Sequence, residues 1–166
     1  MQPSTTTPRP GCYVGLDVGR VRIGVALSDP DTGFGHAGFV LDRKGTRRDV
    51  EAIIHWLDGR AIAGAVIGLP PTSDDPKRCS ARMAREFARR WVEQTGIAAV
   101  LVDESDSTIE ASANLSALGA KGPRLRARVD AEAAAIILNR FAAGWPAQAA
   151  PTQQAQSLTP GPMADG

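Results

Sequence analysis

Short apolar runs bounded by glycine, proline or polar residues recur along the chain and set the order of its elements. Four of them have the length and composition of buried strands, at residues 12–18, 21–27, 63–69 and 98–102. The first two flank a tight turn that contains Gly19, which favours an antiparallel hairpin. Residues 38–41 fit a third short strand after this hairpin.

Four other stretches carry the spacing of amphipathic helices. They lie at residues 50–57, at 80–95, from 107 onward and at about 129–142. The third opens with the capping-box pattern Ser107-x-x-Glu110. Residues 119–127, before the last helix, are rich in Gly, Pro and Arg and are predicted to form a loop.

This order, three strands and then helix, strand, helix, strand, helix, helix, predicts an α/β fold. A meander followed by two crossover connections gives a mixed five-stranded sheet with helices on both faces. The predicted domain spans residues 12–143. The flanking stretches, residues 1–11 and 144–166, have little to bury, and we expect both to be disordered tails.

Composition excludes several classes of protein. The net charge of +1 does not by itself indicate a nucleic-acid binder. Two cysteines, Cys12 and Cys79, are too few for a disulfide framework or a zinc site. We find no signal peptide and no apolar run of about 18 residues that could span a membrane. We therefore expect a reduced, soluble, cytoplasmic protein without a membrane partner. The sequence is compatible with a monomer and with a homodimer.

Three acidic residues, far apart in the sequence, stand at the ends of elements that are predicted to be buried. Asp17 ends the first apolar run, Glu104 follows the strand at 98–102, and Asp130 opens the last helical pattern. Ligands bind beyond the carboxyl ends of parallel strands in such a sheet, so we expect Asp17 and Glu104 to meet there. Clustered carboxylates repel each other without a cation, and their oxygens select hard ions such as Mg²⁺ and Mn²⁺. Such ions assist the hydrolysis of phosphodiesters.

Asp130 has two interpretations. An aspartate at a helix start commonly caps the free N–H groups of the first turn. However, Asp130, Ala134, Ile137 and Phe141 follow the spacing i, i+4, i+7 and i+11. The carboxylate therefore lies on the apolar stripe, which a solvent-facing cap would not normally do. This alignment favours a site.

Basic residues are concentrated in two places. Arg78, Arg82, Arg85 and Arg89 follow helical spacing, for which a solvated helix face is the more common explanation. Another four crowd the predicted loop before Asp130, namely Lys121, Arg124, Arg126 and Arg128. A cation-rich loop at this position fits a clamp for a phosphate backbone, and the alternative is an ordinary helix connection.

Four motifs, in the right order, resemble those of the YqgF/RuvX family. They are GLDVGRVRIGVALSD, VIGLP with the polar loop after it, VDESDSTIEA and RVDAEAAAIIL. The resemblance covers about residues 13–142 and implies an RNase H-like fold. The family's motif acids match Asp17, Glu104 and Asp130, which the resemblance implies to be catalytic and to hold one or two Mg²⁺ or Mn²⁺ ions.

The resemblance implies a hydrolase, a nuclease that processes the 5′ end of pre-16S rRNA in ribosome biogenesis. The alternative within this class is a resolvase that cuts Holliday junctions in branched DNA, and no residue separates the two substrates. The alternative from another class is a nucleic-acid-binding module without catalysis. An ATP-binding module with a similar opening hairpin is disfavoured, because one domain of this length lacks the second half that such kinases use.

The chain departs from the family pattern around the acids. The family often has a Lys where this chain has Val21, and usually an Asn where it has Thr72. Ser105, followed by Asp106, stands where a basic residue usually follows the glutamate. Arg20 and Arg22 are therefore candidates for phosphate contacts, together with the cluster from Lys121 to Arg128.

Overall fold

The computed structural model describes residues 11–70, 80–103, 122–144 and 147–149, with the backbone alone for 122–127 and 147–149. Six strands form one sheet in these ranges: β1 (Cys12–Val18), β2 (Arg22–Ser28), β3 (Gly35–Asp42), β4 (Ile62–Leu69), β5 (Ala99–Asp103) and β6 (Ala147–Ala149). The helices of the same ranges are α1 (Thr46–Leu57), α2 (Ser80–Thr95) and α3 (Gly122–Ala142).

The sheet has the strand order β3-β2-β1-β4-β5-β6. Strands β1 to β3 form an antiparallel meander, whereas β4 and β5 join β1 by parallel pairing. The predicted mixed α/β sheet is therefore confirmed, and β1, at its centre, has an antiparallel neighbour on one side and a parallel neighbour on the other.

Residues that alternate along the central strands pack against different helices. Val14, Leu16 and Val18 of β1 belong to a core that α1 and α2 cover. A second core holds Val66 and Val102 against α3. The sheet therefore has helices on both faces, α1 and α2 on one and α3 on the other.

The helix α3 is longer than predicted. It begins at Gly122, so that Arg124, Arg126 and Arg128 lie on a helix, and the prediction of a loop over residues 119–127 is wrong from residue 122 onward. Pro123 is typical of a loop, but proline is also favoured in the first turn of a helix, where its missing N–H has no partner to lose. The Leu, Arg and Ala residues that follow are strong helix formers.

The sheet has a sixth strand beyond the predicted five. Residues 147–149 pair antiparallel with β5, so the prediction of a disordered tail from residue 144 is wrong for these three residues. The pairing covers an edge of β5 that would otherwise expose unpaired backbone groups. The helix predicted from residue 107 lies outside the described residues.

The third strand is also longer than predicted, since β3 covers eight residues. Its first half, GHAG, contains small and polar residues that have weak strand propensity and gave no signal. Within the described ranges, no helix combines the length and apolarity needed to cross a membrane.

Candidate active site at the carboxyl end of the central strand

Asp17 lies at the carboxyl end of β1, between two buried residues. Its neighbours Leu16 and Val18 are buried, and Asp17 itself is partly buried. The register pairs Leu16 with Ile67 of β4, and Ile67 with Leu101 of β5. The carboxyl ends of the three parallel strands therefore lie at one edge of the sheet, as expected, and Asp17 is at that edge.

The side chain of Asp17 lies on the face of the sheet that α3 covers. On the same face of β1, four residues before Asp17, the ring of Tyr13 contacts that of Phe141, with centroids 5.1 Å apart. At Gly15, a Cβ atom would lie 2.7 Å from the carbonyl oxygen of Ala134. Because side chains alternate along a strand, Asp17 shares this face with Tyr13 and Gly15.

Asp130 comes to the same place through a close contact between α3 and β2. Gly24 of β2 is directly opposite Asp17. A Cβ atom on Gly24 would lie 1.8 Å from the carbonyl oxygen of Asp130, so only glycine allows this approach. Cross-strand partners share one face of the sheet, and the two aspartates are therefore neighbours across Gly24.

Asp130 is not a helix cap. It is preceded by two helical turns of α3, which begins at Gly122, so the capping interpretation does not apply. Its carboxylate accepts a hydrogen bond from Nε of Arg22, at 2.7 Å. Arg22 thus provides a positive charge beside an acid that is three-quarters shielded from solvent.

Glu104, the third predicted acid, lies outside the described residues. The residue before it, Asp103, ends β5, and its carbonyl oxygen accepts a hydrogen bond from Nη1 of the buried Arg140, at 3.2 Å. Among the described residues alone, no group of three His, Cys, Asp or Glu side chains could hold a metal ion. The structure therefore brings the backbone of Asp130 next to the strand position opposite Asp17, and a metal site formed by the three acids stays a prediction.

The hairpin turn between β1 and β2 is fixed by Arg43, which sequence reasoning missed. Nη1 of Arg43 donates to the carbonyl oxygen of Gly19, and the backbone N–H of Arg43 donates to the carbonyl oxygen of Val21. Nε of Arg43 donates to the carboxylate of Asp49, which is 1% exposed. A long-range contact of this kind has no periodic signal in the sequence.

Gly24 and Arg140 were also missed. The signal for Gly24 was present, since a glycine inside a strand pattern indicates close approach of another backbone. For Arg140 the signal was weaker: it adjoins Phe141 at the end of a long apolar pattern, where a charged residue is unexpected.

The predicted nucleic-acid-binding residues fall into three groups. Arg20 is exposed at the hairpin turn, and Arg22 is bound to Asp130. Arg128 is exposed on α3. Arg124 and Arg126 are placed on α3 by their backbone, and Lys121 lies outside the described residues.

Structural comparison defines the class of protein. The fold is similar to that of "T. thermophilus RuvC in complex with Holliday junction substrate", with a TM-score of 0.56, 13% identity, and coverage of 84% of this chain and 99% of that one. A second structure of Thermus thermophilus RuvC gives a TM-score of 0.51. The chain thus has the RNase H-like fold of RuvC, confirming the predicted fold.

Sequence comparison identifies the family. The family model described as "RuvX: Holliday junction resolvase" matches residues 11–143. A protein of Anaeromyxobacter sp. (strain Fw109-5), named "Putative pre-16S rRNA nuclease", is 41% identical over 133 residues, which cover 80% of this chain and 94% of that protein. A protein of Gloeobacter violaceus with the same name is 35% identical over 142 residues, covering 85% and 89%. The chain belongs to the RuvX family and is a nuclease.

Proposed function

We propose that this nuclease hydrolyses phosphodiester bonds of pre-16S rRNA in the cytoplasm, with Asp17, Glu104 and Asp130 as its catalytic acids. The observation that carries the proposal is the approach of Asp130 to Gly24, directly opposite Asp17. It joins two acids that are 113 residues apart in the sequence. Relatives that carry the name of a pre-16S rRNA nuclease support the substrate.

Glu104 is proposed as the third acid from the strand that leads to it. Val102, two residues earlier, packs in the core that α3 covers. Continued alternation along β5 would direct Glu104 to the same face, where Asp17 and Asp130 lie. Arg140 supports this arrangement, because its hydrogen bond to Asp103 ties the end of β5 to α3.

The donor set fits a hard divalent cation, Mg²⁺ or Mn²⁺, in one or two copies. Carboxylate oxygens are the ligands that these ions prefer, and Asp130 already binds a positive charge, the guanidinium of Arg22. When bound, such ions lower the pKa of a coordinated water and stabilise the departing oxygen of a phosphodiester. Asp17 and Asp130, with Glu104, would hold them.

The cations near the acids have a separate role in binding substrate. Arg20 is exposed at the turn between β1 and β2, and Arg128 is exposed on α3, two residues before Asp130. Both can contact phosphates that flank the bond to be cut. Arg22 adjoins the same acid, and its planar guanidinium group can hold a phosphate against the site.

Resolution of branched DNA is the second candidate function. The description of the matching family, a Holliday junction resolvase, favours it. Metal-assisted hydrolysis itself does not distinguish the two substrates, since it requires no contact with a 2′-hydroxyl.

A cleavage panel with Mn²⁺ tests the proposal. The substrates are single-stranded RNA, duplex RNA and a four-way DNA junction, and the proteins are the parent, Asp17→Asn and Asp42→Asn. We expect the parent to cut RNA, and Asp17→Asn to lose about 100-fold or more in rate with its fold intact, because loss of even an outer partner of a metal ligand costs about 10–100-fold. Asp42, an exposed acid at the end of β3, is the control, and Asp42→Asn should cleave at the same rate as the parent.

Each other outcome has a distinct meaning. Cleavage of the DNA junction alone would favour the second candidate. Undiminished cutting by Asp17→Asn would remove Asp17 from the mechanism. Binding of nucleic acid without any cleavage by the parent would make the chain a binding module.

A further inference from the structure

Three segments of the chain meet at the guanidinium group of Arg43, on the face of the sheet opposite α3. Its Nη1 atom lies 3.2 Å from the carbonyl oxygen of Gly19 and 3.2 Å from Sδ of Met83, in the first turn of α2. The guanidinium also lies 5.8 Å from the ring centroid of Phe87. The hairpin turn beside Asp17, the connection after β3 and the start of α2 are therefore in contact.

Each of these segments presents an exposed cation next to the contact. Arg20 follows Gly19, Lys44 follows Arg43, and Arg82 precedes Met83; Arg85 lies one turn after Arg82 on α2. All four side chains are exposed, and none forms an ion pair with a described residue. They therefore surround the contact at Arg43, and Arg20 is three residues from Asp17 in the sequence.

Cations further along α2 are neutralised instead. Arg89 binds both Glu86 and Glu93, and Arg90 binds Glu86. Hydrogen bonds from Arg89 hold the pKa of the Glu86 carboxyl below its ordinary value, so this acid stays charged. Among the described residues, the charges of α2 are therefore balanced in its later turns, and the positive charges near its start have no acidic partner.

Helix energetics make this distribution unfavourable without a partner. The amino end of a helix carries a partial positive charge, which acidic residues stabilise and basic residues destabilise. The first turn of α2 contains no acidic residue, and Arg82 lies in it. An external anion at this surface would remove the repulsion.

We propose that Lys44, Arg82 and Arg85 form a second phosphate-binding surface, which we call the α2 strip, and that it binds one strand of a double-stranded substrate. This inference rests on the proposed nuclease function. The α2 strip and Arg128 of α3 lie on opposite faces of the sheet, and the proposed acids lie on the face that α3 covers. A single strand that crosses the site can follow one face, whereas a duplex presents two phosphate backbones and contacts both.

Salt-dependent binding tests the α2 strip without turnover. Affinity for a short DNA duplex and for an RNA duplex of the same sequence is measured in EDTA at several salt concentrations. When the logarithm of the association constant is plotted against the logarithm of the salt concentration, the line falls with a slope of about 0.9 for each phosphate contact in duplex DNA. We expect Arg82→Ala with Arg85→Ala to reduce the slope for the DNA duplex by about 1–2.

Matched variants of the same helix serve as controls. Arg89→Ala with Arg90→Ala removes the same charge from α2 at neutralised positions and should leave the slope as in the parent. Arg82→Lys with Arg85→Lys retains the charge and should also keep it. A slope that is unchanged in the Arg82 and Arg85 alanine variant, an equal loss in the Arg89 and Arg90 variant, or a parent that binds no duplex overturns the α2 strip.

The two proposals can fail separately. If the parent shows no metal-dependent cleavage, the nuclease mechanism is contradicted. The salt dependence of binding, which is measured in EDTA, still tests the α2 strip in that case. An unchanged slope contradicts the α2 strip, although cleavage and its dependence on Asp17 persist.

Discussion

Gly24 is the residue on which the proposed site depends most directly. Its missing side chain is what lets the backbone of α3 lie on β2 at Asp130. A carbonyl group at this distance cannot rotate away as a side chain does, because it belongs to a helical turn. The approach of α3 to β2 therefore depends on a hydrogen atom at Gly24, where every other residue has a Cβ atom.

Replacing Gly24 by alanine should displace α3 and disable the site together. We expect the free energy of unfolding to fall by about 1–3 kcal/mol or more, as overpacked sites do, and Mn²⁺-dependent cleavage to fall further than the loss of folded protein explains. Urea denaturation and cleavage at a temperature where the variant is folded measure the two effects. Gly64→Ala is the control, since the Cβ atom there lies 3.2 Å from the ring of Tyr13 and touches no atom closer. Equal behaviour of the two variants would contradict the assigned contact.

Arg43 acts at the scale of elements, because it joins pieces that neighbour one another only in the fold. Besides Gly19 and Met83, it donates through Nη2 to the hydroxyl oxygen of Thr46, at the start of α1. Asp49 compensates its charge, and also accepts the N–H of Lys44 at 2.9 Å. The buried pair therefore fixes the turn that carries Arg20 and Arg22 relative to both helices.

Removing one partner of this pair should destabilise the fold. We expect Asp49→Ala to lower the free energy of unfolding by about 3–5 kcal/mol, because it leaves the charge of Arg43 uncompensated and mostly buried.

A double replacement, Arg43→Met with Asp49→Leu, should recover most of that stability, since apolar side chains often substitute for a buried ion pair. Cleavage should be impaired in the double variant, because the side-chain hydrogen bond from residue 43 to the carbonyl oxygen of Gly19 is then lost. Arg47→Ala, at the exposed pair with Glu51, is the control and should cost less than about 1 kcal/mol. Full recovery of cleavage by the double variant would show that Arg43 has no positioning role.

The elements with a regular period were predictable, and the contacts between them were not. The apolar pattern of β1 gave its bounds and placed Asp17 at the end of a buried strand. Helical spacing likewise put Asp130 on the buried stripe of α3, although the helix begins seven residues before the predicted start. Arg43 and Asp49 bind across loops and elements, where no period applies, and β6 is three residues long and forms only because β5 offers an edge.

At the scale of the whole molecule, the strand that leads to the proposed site, β5, is next to the short edge strand β6. The proposed site lies at the carboxyl ends of β1 and β5, and within the described ranges β6 pairs along the outer side of β5. Three register pairs join them, Val100 with Ala149, Leu101 with Gln148 and Val102 with Ala147. The last of these pairs is next to Asp103, so β6 supports the strand end that leads to Glu104.

Two truncations test whether β6 is part of the folded domain. A chain that ends at Ala149 keeps the strand, and we expect its melting temperature and cleavage rate to match those of the full chain. A chain that ends at Gly144 loses the strand, and we expect the free energy of unfolding to fall by about 1–3 kcal/mol, the net contribution of a few hydrogen bonds. That corresponds to a melting temperature lower by roughly 2–12 °C. The exposed edge of β5 should also increase aggregation, which light scattering detects during heating.

Thermal unfolding of both chains gives the comparison. The chain that ends at Ala149 is the control for the loss of residues 150–166. If the two truncated chains melt and cleave alike, β6 contributes nothing to the domain, and the boundary predicted at residue 143 holds.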